Sequence, residues 1–253
     1  MTKIVVFDSG LGSLSIIKPI QKIMKCNIIY FADTINFPYG KKSVKELQNI
    51  SLQTITFLQK SFMPDLTIVG SNTLSFTLNS QPKNVLTVLP PLNEAKKISK
   101  SKSIAILATE SIVKSKLLDE YIKQNKINNV KIIKINASPL VELVEHDEIY
   151  SNPNLCKNLI EKTLGSLFLK NNIDVATLSS THLPFLLEFF KNSFPNITFL
   201  DPAESIALKT KKRFPHYNKR NSLQIYTSGD IKSLETKLNH MKINNKILKL
   251  TLH

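Results

Sequence analysis

The chain is predicted to be an α/β protein made of two facing, pseudo-symmetric α/β halves with mostly parallel sheets. Three features carry that expectation. Short, unbroken apolar runs rich in β-branched residues recur along the 253 residues, and stretches with helical patterning separate them. Strands of that kind belong to parallel sheets buried on both faces. The third feature is a repeated polar corner: "SNTLSF" at Ser71–Phe76 returns as "STHLPF" at Ser180–Phe185, aligning Ser71 with Ser180, Leu74 with Leu183 and Phe76 with Phe185.

In chain order the expected strands are "KIVVF", "NIIYFA", "DLTIVG", "NVLTVL", "SIAILA", "VKIIKI", "DVATLS", "ITFL", "LQIYTS" and a weaker "KILKLTL". Each is short, β-branched and bounded by turn residues. Two helix starts are marked chemically. Ser43-Val-Lys-Glu46 has the spacing of a capping box, and Asp201-Pro-Ala-Glu204 places proline in the first helical position. The stretch "VLPPLNEAKKISKSKS" breaks the series, and "SIAILATES" after it repeats the strand-then-corner design of "KIVVFDSGLG". The expected division is therefore 1–95 plus 208–253 as one domain and 96–207 as the other, with a ligand cleft between them.

Composition narrows the function classes. A hydrophobic share of 42% and a charged share of 21% are those of an ordinary globular protein, and no apolar run approaches the ~18 residues that span a bilayer. The apolar core of "MTKIVVFDSG" is too short for a signal peptide, so a cytoplasmic protein is expected. The formal charge of +15 comes almost wholly from lysine, with Arg213 and Arg220 the two arginines. Nucleic-acid readers favour arginine forks, so a nucleic-acid partner is not expected; the run Lys209–Arg220 reads as a solvated helix end. Cys26 and Cys156 form no CxxC, and the five histidines show no ligand spacing. Neither a disulfide framework nor a metal site is predicted.

In open parallel sheets ligands meet the carboxyl ends of strands. Asp8, Ser9, Ser71, Asn72, Thr109, Ser180, Thr181 and His182 all fall at such ends. Single motifs leave several readings open. "FDSGLGSLS" with Asp33 has part of a dinucleotide loop, but Ser13 and Ser15 stand where a third glycine would pack, and Asp8 would repel a pyrophosphate. Ser180 with His182 has the residue types of an activated nucleophile without the GxSxG elbow. The plainer alternative is that Thr181 and His182, like Asn72 and Thr73, cap the helices that follow.

Taken together, "IVVFDSGLGSLSIIKPI", "IIYFADTINFPYGKKS", "IVGSNTLS", "IAILATESIVKS", "SPLVELVEHDE", "LSSTHLPFL", "LDPAESIA" and "IYTSGD" come in the order expected of glutamate racemase. The sequence resembles that family, within the Asp/Glu racemase superfamily, from Lys3 to Asp230. The resemblance implies a cofactor-independent enzyme that holds an acidic amino acid between two α/β domains. Two cysteines act as bases, one on each face of the α-carbon. Those positions are Ser71 and Ser180 here. By the same resemblance Asp8 and His182 assist the two bases; Ser9, Tyr39, Gly40, Asn72, Thr73 and Thr181 bind substrate; Thr109 and Glu145 complete the pocket; and a homodimer is the family's habit. The family's "GCTHYP" stands as "SSTHLP", so Ser179 and Leu183 depart as well.

Serine at both base positions changes the expected chemistry. A thiol ionises near 8.5 or below, whereas water, a stand-in for an alcohol, sits near 15.7. The gap of about 7 units is about 10 kcal/mol, and no electron-sink motif offsets it. The sequence therefore predicts a racemase relative that binds glutamate, aspartate or a related dicarboxylate, with racemisation lost or severely impaired and no cofactor. The alternatives are a weakly active glutamate racemase, a Ser/His hydrolase or lyase acting on a related acid, and an interaction protein using its basic surface.

Overall fold

The computed structural model describes residues 2–78, 82–214 and 219–251. Among the described residues ten strands form two sheets: β1 Lys3–Asp8, β2 Asn27–Ala32, β3 Leu66–Val69, β4 Val85–Thr87, β5 Ser103–Ala108, β6 Lys131–Asn136, β7 Val175–Leu178, β8 Thr198–Leu200, β9 Ser222–Thr227 and β10 Ile247–Lys249. Every pairing is parallel. The chain divides into two compact units, Met1–Val88 with Ala203–His253, and Leu89–Pro202.

The first unit holds the sheet β10-β9-β2-β1-β3-β4. Because side chains alternate along a strand, Val5 and Phe7 of β1 and Ile29 and Phe31 of β2 share one face. They pack with Leu47, Ile55 and Leu58 of the helix Val44–Phe62. Burying each such side chain contributes about 1.5–3 kcal/mol. That helix begins with the expected capping box: Ser43 N–H donates to Glu46 Oε2 at 2.8 Å, and Glu46 N–H donates to Ser43 Oγ at 3.3 Å. It ends on Met63 in the left-handed region (φ 44°), just before Pro64.

The second unit holds β6-β5-β7-β8. One face of β5 and β7 (Ala105, Leu107, Ala176, Leu178) packs with Leu140, Leu143 and Val144 of the helix Ser138–Glu145, and with Ile160, Leu164 and Phe168 further on. The four strands repeat the connectivity of β2-β1-β3-β4 in the first unit, which accounts for the repeated corners. The helix Pro202–Arg213 opens with proline, as the spacing predicts. Of the basic run Lys209–Arg220, residues 215–218 lie outside the described residues. Among the described residues no helix is long and apolar enough to cross a membrane.

Candidate active site

In the first unit β1 lies between β2 and β3, so consecutive crossovers leave β1 in opposite directions. The carboxyl ends of β1 and β3 form the switch point where such sheets bind ligands. Asp8 ends β1, and Phe7 pairs with Val69 of β3. Gly70 N–H donates to Phe7 O at 2.8 Å, which places Ser71 beside Asp8 and Ser9 at that edge. Asp8, Ser9, Ser71, Asn72 and Thr73 are between 2 and 6% exposed. Asp8 Oδ1 accepts from Ser9 N–H at 2.7 Å.

Ser71 is the N-cap of the helix Asn72–Thr77, its hydroxyl accepting from Leu74 N–H at a long 3.5 Å. The cap expected of Asn72 and Thr73 is thus made one residue earlier. Asn72 instead turns inward: its Nδ2 donates to Val88 O at 3.0 Å, while its buried Oδ1 has no partner among the described residues. Val88 N–H donates to Ser75 Oγ at 3.0 Å, so both backbone groups of Val88 secure the corner. Across the same edge, the 3-10 turn Tyr39–Lys41 brings in Tyr39 and Gly40. Tyr39 O–H donates to Asp33 Oδ2 at 2.8 Å. Burial, then the charges of Asp33 and Asp8, hold the Tyr39 phenol well above its ordinary ionisation range.

The second unit repeats the plan. Leu107 of β5 pairs with Leu178 of β7, and Ser179 N–H donates to Leu107 O at 2.9 Å. This is the counterpart of the Gly70 bond, and it carries the chain to Ser180 beside the exit of β5 at Thr109. Ser179 fills the place of Gly70 and shares a 2.9 Å hydrogen bond with the Thr177 hydroxyl. Ser180 O accepts from Leu183 N–H at 3.0 Å. His182 does not cap the following 3-10 turn Leu183–Leu186 with its side chain. Its Nε2 lies 2.5 Å from Glu145 Oε1, both residues buried. Glu145 closes the helix Ser138–Glu145, whose apolar face fixes its direction.

The two cysteines stand apart from these residues. Cys26 immediately precedes β2, and Asn27 pairs with Lys3, so it lies at the amino edge of its sheet. The carboxyl end of β2 is roughly 20 Å away at about 3.3 Å per residue. Burial pushes its thiol up to about 11. Cys156, in the helix Pro153–Ile160, packs into the core of the second unit, where burial and then Glu148 raise its thiol as well. Neither is a low-pKa thiolate at a strand exit. Among the described residues no group of His, Cys, Asp and Glu could hold a metal ion. A surface concavity of about 760 Å³ in the second unit is lined by Lys96, Lys97, Lys102 and three asparagines, and by none of the candidate residues.

Two features escaped the sequence reading. Asp33 is a buried acceptor for Tyr39, and Glu145 is the partner of His182. The one sequence signal for each was an acid in a string shared with the family.

The comparisons with known proteins agree with the strings. The chain is 31% identical over 217 residues to the glutamate racemase of Buchnera aphidicola subsp. Schizaphis graminum, covering 83% of this chain and 84% of the relative. It is 29% identical over 242 residues to that of Limosilactobacillus reuteri, covering 90% and 88%. No family model matches the chain. Among solved structures, Bacillus anthracis glutamate racemase isoform RacE1 is similar with a TM-score of 0.86 at 23% identity, covering 100% of this chain and 97% of that one. Escherichia coli glutamate racemase, in complex with L-glutamate and an activator, gives 0.84 at 23%, covering 100% and 99%. The structural likeness speaks for the fold, and the alignment with the Buchnera protein carries the kinship: the chain belongs to the glutamate racemase family.

Proposed function

We propose that this protein binds glutamate, aspartate or a related acidic amino acid through the family's cradle but has lost most or all of its capacity to racemise it. Asp8, Ser9, Tyr39, Gly40, Asn72 and Thr73 serve from one unit, and Thr109, Thr181, His182 and Glu145 from the other. The E. coli relative holds L-glutamate, and the polar groups kept here at both strand exits suit the same ligand. The reading makes this a cytoplasmic protein without a cofactor.

One observation carries the proposal. Hydroxyls occupy both corners where the family's bases belong, while both thiols of the chain are buried elsewhere with raised pKa values. In the first corner the Ser71 hydroxyl is used, weakly, as a helix cap. Removing a proton from an unactivated α-carbon with a neutral alcohol meets a deficit of about 10 kcal/mol relative to a thiolate, only part of which a stronger base recovers in the transfer itself. A Ser180-based hydrolase would need His182 turned to the serine hydroxyl, whereas its Nε2 is engaged with Glu145 Oε1 at 2.5 Å.

The test is deuterium wash-in at the α-carbon of L- and D-glutamate, followed by NMR, for the natural chain and for Ser71→Cys/Ser180→Cys. Exchange near background for the natural chain and a clear gain for the double variant are expected. Brisk exchange by the natural chain overturns the impaired reading in favour of an active racemase. Calorimetry with both enantiomers of glutamate and aspartate checks the cradle; no heat from any of them sinks the binding claim.

A further inference from the structure

We propose that Asp33 is a positioning residue of the first half-site: a fully buried carboxylate that ties the turn Tyr39–Lys41 to the ends of β2 and β9, so that Tyr39 and Gly40 meet the ligand in one fixed geometry. The proposal rests on the reading that Tyr39 and Gly40 touch the ligand. The family resemblance gave Asp33 no role.

Asp33 follows β2, and its N–H donates to Asp8 O at 2.7 Å, so it begins at the mouth of the half-site. Its side chain is wholly buried and accepts three side-chain hydrogen bonds. Tyr39 O–H and Asn36 Nδ2 both donate to Oδ2 at 2.8 Å, and Ser228 O–H donates to Oδ1 at 3.0 Å. Ser228 Oγ in turn accepts from Ile35 N–H at 3.0 Å, and the hydroxyls of Thr34 and Thr227 are 2.9 Å apart. Gly229 packs so closely that an added Cβ would fall 2.2 Å from Thr34 Oγ1. One carboxylate thus joins the exit of β2 and the Tyr39 turn six residues on to the exit of β9, 195 residues away.

A buried carboxylate without a cation is costly, and apolar packing would join the same segments at less cost. What apolar packing cannot supply is a directional acceptor for a buried phenol. The Tyr39 ring sits in the core with Phe7 and Phe31. Its depth is set by packing, and its hydroxyl end by Asp33. At the turn, Lys41 N–H and Lys42 N–H return to Pro38 O and Tyr39 O. A shift of the phenol therefore moves Gly40 with it. The ionisable groups acting on the phenol are Asp33, Asp8 and Tyr30.

The experiment uses the full chain and the variants Asp33→Asn, Tyr39→Phe, the two combined, and Ser228→Ala. Asp33→Asn and Tyr39→Phe each weaken glutamate binding about tenfold, the scale of one hydrogen bond to a charged group. The combined variant is no weaker than the poorer single one, because both cut the same link. A general loss of stability would leave the two effects additive, and additive losses overturn the proposal. Independently of any ligand, NMR of tyrosine Cζ follows Tyr39 with pH. Asp33→Asn lowers the pH at which that resonance departs from its protonated position, and an unmoved titration overturns the proposal. Ser228→Ala, should Asp33→Asn fail to fold, shifts the same titration and weakens binding a few-fold; no change in either measurement overturns it. If the unaltered chain binds no glutamate, the functional reading fails, while the Tyr39 titration still decides the role of Asp33.

Discussion

Gly70→Ala measures how tightly the first corner is built. The added methyl carbon would lie 2.1 Å from Ser13 Oγ, 3.0 Å from Ser13 Cβ and 3.2 Å from Phe7 O. Favourable contacts between carbons lie near 3.5–4.0 Å, so the first two are repulsive. Ser13 is fully buried at the start of the helix Leu14–Ile23 with helical φ and ψ, and its backbone cannot retreat. Gly70 cannot retreat without stretching its 2.8 Å bond to Phe7 O. Overpacking costs about 1–3 kcal/mol, and loss of the ladder bond adds about 0.5–1.5. Together that is roughly 2–4 kcal/mol, or a fall in Tm of roughly 4–16 °C at about 2–4 °C per kcal/mol. Ser13→Gly in the same chain removes both close contacts. Among the described residues Ser13 Oγ has no hydrogen-bond partner to lose, so the double variant should recover more than half of the fall. Thermal melts followed by circular dichroism decide it. An unchanged Tm for Gly70→Ala, or no recovery in the double variant, refutes the steric account.

Three further outcomes are expected. In the native protein neither Cys26 nor Cys156 should react with a thiol-specific disulfide reagent at neutral pH, both being buried with raised pKa values, and both should react in denaturant; rapid labelling of either in the native state contradicts their placement. Burial alone would raise Asp174, but the N–H groups of Ser101 and Lys100 and the hydroxyls of Ser99 and Ser101 outweigh it and lower its pKa. Its stabilisation is therefore present above the unfolded value near 3.9 and is lost as pH falls through the lower folded value. Asp174→Asn should cost about 1 kcal/mol at pH 7, small because the group is half-exposed, and its deficit should shrink below about pH 4 in urea melts; a deficit independent of pH argues against it. Glu145→Ala removes the buried partner that His182 holds at 2.5 Å and should lower the urea midpoint by the equivalent of about 3 kcal/mol. An unmoved midpoint would show the pair to be idle.

The strands were legible because a buried parallel strand writes itself locally, as four to six apolar residues bounded by turn formers. Ser43 and Glu46 were legible for the same reason: three residues of spacing contain the whole motif. Glu145 and His182 are 37 residues apart, and Asp33 and Ser228 are 195 apart. No periodicity links such pairs, so their partnership waits on the sheet that assembles them. The capping expectation for His182 failed for a related reason. Spacing from the next helix gives a side chain a local option, and a buried carboxylate offers it a stronger one. Asn72 was drawn off in the same way by Val88 O, once Ser71 had supplied the cap.

If position 71 is the base position that we propose, it has two duties that favour different atoms, and this separates fold from chemistry. As an N-cap it needs a compact acceptor for Leu74 N–H, where oxygen serves well. As a proton-abstracting base it needs an atom that ionises near neutral pH, where sulfur serves. On the proposed reading, exchange of sulfur for oxygen leaves the corner standing and removes only the chemistry, so a well-kept fold says nothing about turnover. Ser71→Cys should move the two properties in opposite directions. Caps of this kind contribute about 0.5–2 kcal/mol, and the 3.5 Å bond here belongs below the middle of that range, so stability should fall by less than about 1 kcal/mol. One-sided deuterium exchange at the α-carbon of one glutamate enantiomer should meanwhile rise well above the natural chain's background. A variant that gains stability without gaining exchange would mean that the corner at Ser71 is neither a strained cap nor the seat of a lost base.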